Sequence, residues 1–247
     1  MRPGVSVICP FVGEAPDFSG LRLRAGDELL LADNNPGPRS SYFARDGAAR
    51  RARGQWLVFI DADCDPDPGL LDAYFDPSPA DRVGVLAGAI EDTVVEDTWV
   101  ARYIRDRRKL DQATTLSGLR PYAQTANCAV RRAAFEAVGG WPEPIRSGGD
   151  ADLSWRLAAA GWDLEERPAA RVRHRNRARL GELLAQLHRH GTGMRWLDER
   201  WPGSFPPPQR REHLGRLGLL AQDPSAYGAL DVLGLWARDS GRLRRNT

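Results

Sequence analysis

Trp56-Leu57-Val58-Phe59-Ile60-Asp61-Ala62-Asp63-Cys64-Asp65 is the stretch that decides the fold class of this chain. Five residues, four of them strongly apolar, run straight into a cluster of carboxylates. A strand buried on both faces reads as such a continuous run. In a parallel sheet it delivers polar residues at its carboxyl end. Asp61 and Asp63 stand at i and i+2, so past the last strand residue both can turn toward one point. A hard divalent cation, Mg2+ or Mn2+, takes oxygen ligands in that arrangement, usually beside phosphate oxygens. The same residues also fit a plain acidic turn, because Pro66 and Pro68 mark a loop here.

Working outward, Val5 to Cys9 is an apolar run closed by Pro10, which predicts a first buried strand. Glu28 to Ala32 predicts a second, ending in the turn signal Asp33-Asn34-Asn35-Pro36-Gly37. One or two helical turns are expected between Asp17 and Arg24. Ser40 to Arg53 has helical composition, with Gly54 as its stop. Further expectations are a helix over Gly69 to Phe75 and a strand over Val83 to Ala89. Strands alternating with helices predict a doubly wound, mostly parallel α/β sheet. Such sheets bind ligands beyond the carboxyl ends of their strands. Here those ends carry Pro10-Phe11, Asp33-Asn34 and Asp61-Asp63, which points to a nucleotide-type crevice.

The second half changes character. Glu96 to Leu116 predicts a long helix, and Tyr122 to Thr125 a strand leading to Asn127. Helices are expected over Arg131 to Val138, Asp150 to Ala160 and Leu180 to His190, stopped by Gly139-Gly140, Gly161 and Gly191. Val172 to His174 reads as an edge strand. Ser204 to Pro208 is a Pro-rich break, followed by one or two C-terminal helices to about Arg245.

Composition bounds these expectations. A chain of 247 residues with 42% apolar residues can form one large α/β domain, or one domain with an appendage. The formal net charge of +2 gives no argument for nucleic-acid binding. Cys9, Cys64 and Cys128 are odd in number and widely spaced, which argues against a disulfide framework or a Cys-rich zinc site. Met1-Arg2-Pro3-Gly4 leads directly into an apolar run, leaving no room for a signal peptide. A cytoplasmic protein is expected, with peripheral contact to a membrane surface left open.

A second acidic group sits in Ser147-Gly148-Gly149-Asp150-Ala151-Asp152, where a glycine loop enters a helix. Asp150 fits a first-turn acid that stabilises the helix dipole. It also fits a general base, if the fold sets it opposite the metal. Asp152 can pair with Arg156 at i+4. Arg167, Arg171, Arg173, Arg175, Arg177 and Arg179 read either as a solvated face or as a cationic wall for diphosphate, an anionic acceptor or lipid headgroups. Trp141 and Trp155 fit core packing or an acceptor platform.

The order of these motifs resembles family 2 glycosyltransferases of the GT-A fold. VSVICPF is similar to their first strand, and DELLLADNN to the second strand with its nucleoside-binding acids. SYFARDGAARRARGQWLVFIDADCDPDPGLL resembles their Arg-bearing helix and Asp-x-Asp strand. TANCAVRRAAFEAVGGWPE is similar to the acceptor-side segment, and GGDADLSWRLAAAGW to the helix carrying the base. VRHRNR with LLAQLHRHG is similar to the closing part of the domain. The resemblance covers roughly residues 4 to 195.

It implies a GT-A (Rossmann-like, nucleotide-diphospho-sugar transferase) α/β domain over 1–200, with a nucleotide-sugar half over 1–92 and an acceptor half over 93–200. Residues 201–247 would form a C-terminal helical extension. The implied activity is a metal-dependent inverting transfer, with Mn2+ or Mg2+, from a nucleotide-diphosphate sugar, commonly UDP-linked, to an unknown acceptor. Asp61 and Asp63 match the Asp-x-Asp pair, with Asp63 the more direct metal ligand. Pro10, Phe11, Asp33, Asn34 and Arg45 match nucleotide-side positions, and His174 a late histidine near metal or diphosphate. Asp150 matches the base; Asn127, Trp141 and Asp152 fall on the acceptor side, with Asp152 a second candidate base. One departure stands out: the family commonly has Glu-Asp where this chain has Gly149-Asp150. A non-catalytic nucleotide-sugar-binding subunit and a sugar nucleotidyltransferase are the alternatives. Against the second, Phe11 to Gly20 contains no basic residue for a phosphate loop.

Overall fold

In the computed structural model, residues 2–34, 40–107, 111–141, 145–207, 215, 218, 223 and 225–246 are described. The apolar run at the centre forms β3 (Trp56–Ile60), and all five of its residues are buried. Trp56, Val58 and Ile60 join one core with Val5, Val7, Leu70 and Leu86. Phe59 points the other way, onto the rings of Phe135 and Trp141. Burying each such side chain contributes roughly 1.5–3 kcal/mol relative to leaving it exposed. This double burial explains why the run is continuous rather than alternating.

β3 pairs parallel with β1 (Val5–Phe11), which pairs parallel with β2 (Glu28–Asp33). On its other side β3 meets β6 (Asn127–Arg131) in antiparallel register. Then follow β5 (Val83–Thr93), β7 (Asp163–Arg175) and the short β4 (Cys64–Pro66). The sheet order is β2-β1-β3-β6-β5-β7-β4. It is therefore mixed rather than mostly parallel: β6 opposes both its neighbours and β4 opposes β7. Burial patterning has no direction, so the reversal of β6 could not be read from its residues.

Helices flank the sheet: α1 (Ser41–Ala49), α2 (Leu70–Ala73), α4 (Gln112–Leu116), α5 (Arg132–Ala137) and α6 (Gly149–Ala159), with α3 (Trp99–Asp106) elsewhere. Three expectations change here. No helix forms over Asp17 to Arg24, and Tyr122 to Thr125 is a loop ahead of β6. The proposed edge strand at Val172 to His174 is the end of the 13-residue β7, which lies inside the sheet between β5 and β4. Its charged start and Pro168 concealed the length. The turn at 35–37 and the middle of the helix expected over 96–116 (residues 108–110) lie outside the described residues.

The chain divides into two compact units. The first holds the sheet: residues 1–93, 108–144 and 149–175. The second comprises 94–107, 145–148 and 176–247. Within it, α3, α7 (Leu180–Arg200) and α8 (Ala226–Gly241) pack Val100, Tyr103, Ile104, Leu183, Leu187 and Leu230 together. The helix expected to stop at Gly191 runs on to Arg200. Gly191 is a contact point, not a stop: a Cβ there would lie 1.8 Å from the Arg238 carbonyl oxygen. Gly241 on α8 approaches the His188 carbonyl equally closely. No described helix is long and apolar enough to cross a membrane.

This close approach makes a signed prediction. Gly191→Ala should destabilise the protein by about 1–3 kcal/mol, because backbone must move. Gly181→Ala, on the same helix with open space around it, should stabilise by about 0.5–1 kcal/mol through helix propensity. Denaturant midpoints of the two variants moving in the same direction would refute the account.

Candidate active site

The carboxyl ends of β1, β2 and β3 lie together. Phe11 registers with Asp33, and Ile8 with Phe59. Asn34 is buried and donates its backbone N–H to the Phe11 carbonyl, 2.9 Å away. Pro10 is buried, Phe11 half-buried and Asp33 exposed.

Beyond Ile60 the chain turns, with the Cys64 N–H donating to the Asp61 carbonyl at 3.0 Å. The two acids then meet different partners. Asp61 is clamped by Arg45, whose side chain is only 4% exposed. Arg45 also donates to Ser41 Oγ at 3.0 Å and lies over the Tyr42 ring. Desolvation outweighs the attraction of Arg45 and, with Asp63 and Asp150 nearby, raises the Asp61 carboxyl above its usual range.

Asp63 meets His174 instead: Oδ2 and Nε2 are 3.3 Å apart. Strand register causes this meeting. β4 follows Asp63 directly and pairs Cys64 with His174, while the Arg175 N–H donates to the Asp63 carbonyl at 2.9 Å. From the other side β5 pairs Asp92 with His174. Asp92 Oδ1 stands 3.8 Å from His174 Nδ1, a buried nitrogen without a hydrogen-bond partner among the described residues. Burial pulls the imidazole pKa down, but the hydrogen bond to Asp63 and the charges of Asp63, Asp61 and Asp92 raise it overall. A carboxylate and an imidazole edge thus face each other, with a second carboxylate behind the ring.

Asp150 is the second residue of α6, so it does sit in the first turn. Its carboxylate nevertheless reaches other elements. Oδ1 accepts from the Tyr42 hydroxyl, and Thr125 approaches with its N–H and its Oγ1, each at 3.3 Å. Tyr42, Arg45 and Asp46 stand at i, i+3 and i+4 on one face of α1. One helix face therefore links Asp150, through Tyr42 and Arg45, to Asp61.

Residues 12–193 match the family described as glycosyltransferase like family 2. The chain belongs to that family. Among relatives of this family 2 chain, a pre-mycofactocin glycosyltransferase of Mycobacterium tuberculosis is 29% identical over 204 residues, 81% of this chain and 42% of that protein. Glycosyltransferase AglE of Haloferax volcanii is 30% identical over 166 residues, 67% of this chain and 53% of that protein. The chain thus spans about half the length of these curated relatives or less. In fold it is similar to a mannosyltransferase from Pyrobaculum calidifontis in complex with GDP-Man and Mn2+ (TM-score 0.63, 18% identity, 98% of this chain, 74% of that one). It is also similar to glucosyl-3-phosphoglycerate synthase from Mycobacterium tuberculosis in complex with Mn2+ and UDP-Glc (TM-score 0.50, 17% identity, 80% and 79%). The fold is that of GT-A glycosyltransferases.

The three residues expected on the acceptor side of the family 2 chain are buried. Asn127 is fully buried; it accepts from the Tyr74 hydroxyl and donates to the Ala89 and Ala170 carbonyls. Its amide is fully engaged in tying the sheet to α2's C-terminal end. Trp141 is 3% exposed, packs on Phe59, Phe135 and Tyr42, and donates to the Gly149 carbonyl. Asp152, the second candidate base, is buried and paired with Arg156. A buried polar residue in a motif looks the same in sequence whether it faces substrate or sheet.

Three of the four arginines of β7 meet carboxylates, and the fourth, Arg175, donates to the Ala62 carbonyl. Arg167 is buried on Glu165 and on the Tyr74 carbonyl, Arg171 meets Glu91, and Arg173 meets Asp65 and Asp67. Conversely, Tyr42, Thr125 and Asp92 join the site without having been anticipated. Asp92 lies on the part of β5 that runs past the predicted strand end at Ala89. Tyr42 and Thr125 carry no local signal, because their partners are far along the chain.

Proposed function

We propose that this chain is a metal-dependent, inverting glycosyltransferase that moves a sugar from a nucleotide-diphosphate sugar, UDP-linked, to an acceptor hydroxyl or other nucleophile. The observation that carries this is the Asp63–His174 pair, backed by Asp92, at the strand edge that also holds Asp33, Asn34 and the Arg45–Asp61 clamp. A carboxylate oxygen and an imidazole nitrogen are suitable donors for Mn2+, and the carboxylates for Mg2+. Among the described residues no three or more His, Cys, Asp or Glu side chains converge to enclose an ion. Two protein donors, with the remaining positions left to diphosphate oxygens, fit an ion that arrives with a nucleotide. Bound there, the cation would neutralise charge developing on the leaving diphosphate.

The chain's own residues do the rest. Arg45 fixes Asp61 and so the turn that presents Asp63. Asp33 and Asn34 lie where the nucleoside would rest. Asp150, held by Tyr42 and Thr125, takes the acceptor proton as the acceptor attacks. Inversion needs base and leaving group on opposite faces of the sugar, which suits their origins on α6 and on the turn after β3. The neighbours solved with Mn2+ and GDP-Man or UDP-Glc support this donor class. The three cysteines are free and buried, in keeping with a cytoplasmic location.

A thermal-shift series tests the proposal. UDP-Glc with Mn2+ at about a hundredfold over its Kd should raise Tm by about 5–10 °C. Chelation with EDTA should remove the rise. Unchanged Tm with both UDP-Glc and GDP-Man in the presence of Mn2+ would falsify the donor class.

A further inference from the structure

The geometry assigns Tyr42 as the positioning residue of Asp150: its hydroxyl holds the carboxylate, and its ring fills the space a side chain at 149 would need. This rests on Asp150 being the base. A Cβ built on Gly149 would stand 2.7 Å from both Cδ1 and Cε1 of Tyr42, and 2.9 Å from Cζ. Gly149 has ordinary helical geometry and no positive φ. Its lack of a side chain therefore answers to space alone.

The ring is fixed from several sides. Tyr42 is 7% exposed, its centroid lies 5.5 Å from that of Trp141, and the Arg45 guanidinium lies over its face. Trp141 in turn donates its indole N–H to the Gly149 carbonyl at 3.0 Å and its backbone N–H to Asp46 Oδ1 at 3.0 Å. Burial, and next the charge of Asp150, raise the phenol pKa well above its ordinary value. Tyr42 therefore stays a donor, and a donor is what an ionised carboxylate requires. With Tyr42 on one oxygen and the Thr125 N–H on the other, the carboxylate is held in one orientation while it awaits the acceptor proton. The residue before the base is thereby tied to a residue on α1, and the two must change together.

Tyr42→Phe keeps the ring and removes the bond. Loss of a hydrogen bond to a charged group should lower kcat about 10- to 100-fold. The readout is UDP release from UDP-Glc and Mn2+ with water as acceptor. KM for UDP-Glc should hold near its native value, since the nucleotide contacts are untouched, while Tm falls by several degrees for the one lost bond. An unchanged kcat, or a KM that moves with it, overturns the assignment. Gly149→Ala should push the ring and lower kcat as well. Combined with Tyr42→Phe it should add little, because the bond it breaks is already gone; full additivity overturns the link between the two positions.

Asp150→Asn is measured beside them. If it turns over normally, the base assignment falls and Tyr42's role with it. If it is inactive while Tyr42→Phe is native-like, only the Tyr42 assignment falls. A readout independent of turnover is the Thr125 amide in a 15N-resolved NMR spectrum of the free protein. It should shift in Tyr42→Phe as the shared carboxylate is released, and an unmoved resonance counts against the proposal.

Discussion

Asp150→Asn should lower kcat by about a hundred- to ten-thousandfold, the usual contribution of a positioned general base. Each tenfold corresponds to about 1.4 kcal/mol of barrier. The amide oxygen can still accept from the Tyr42 and Thr125 hydroxyls, while the Thr125 N–H loses its acceptor to the new NH2 group. What disappears is the capacity to take a proton. Donor binding should survive, because the residues placed at the nucleotide lie on the β1, β2 and β3 ends. The check is a pair of measurements on one preparation: diphosphate release under saturating donor, and UDP-Glc affinity with Mn2+ by calorimetry. Turnover within tenfold of the native rate would remove Asp150 from the mechanism. Weakened donor affinity alongside lost turnover would instead assign it a binding role.

Legibility in the sequence followed the range of the interaction. β3 and the acids that end it were readable because one run of residues carries both the burial and the break. The same holds for β1 and β2. The Asp63–His174 pair was foreseeable only through family resemblance, since it depends on β4 and β7 pairing across a long stretch of chain. The burial of Asn127 and Trp141 was illegible for the converse reason. Residue type and motif position were right for a site, but the Tyr74, Ala89 and Ala170 partners that bury Asn127 are not its sequence neighbours. Gly191 shows the same limit for helices. A glycine at a helix stop and a glycine at a helix crossing are written alike, and only the Arg238 carbonyl distinguishes them. The helix face of Tyr42, Arg45 and Asp46 lies between these extremes. Its spacing was visible, yet the destination of each side chain was not.

Asp63→Ala should weaken Mn2+-dependent binding of UDP-Glc about a hundredfold, or about 2.7 kcal/mol. Nucleotide-sugar affinity measured in EDTA should hardly change. The adjacent acid provides the contrast. Asp61 is committed to Arg45, and that guanidinium is buried, so Asp61→Ala leaves a positive charge without its counter-ion. Removing one partner of a buried pair is costly. Asp61 is about one-third exposed, which reduces the penalty here to about 1–3 kcal/mol of stability. The two alanine variants should therefore fail differently: Asp63→Ala in metal-dependent affinity with Tm preserved, Asp61→Ala first in Tm. Asp63 does reach His174, so its loss also removes a hydrogen bond, but on a side chain that is 41% exposed the cost to stability is small. Calorimetric titration with and without Mn2+, paired with a melt of each variant, separates the outcomes. Equal donor affinity for Asp63→Ala and the native chain in Mn2+ would show that the ion is held elsewhere. Such a result would leave the Asp63–His174–Asp92 row as a structural feature of the β4–β7–β5 edge.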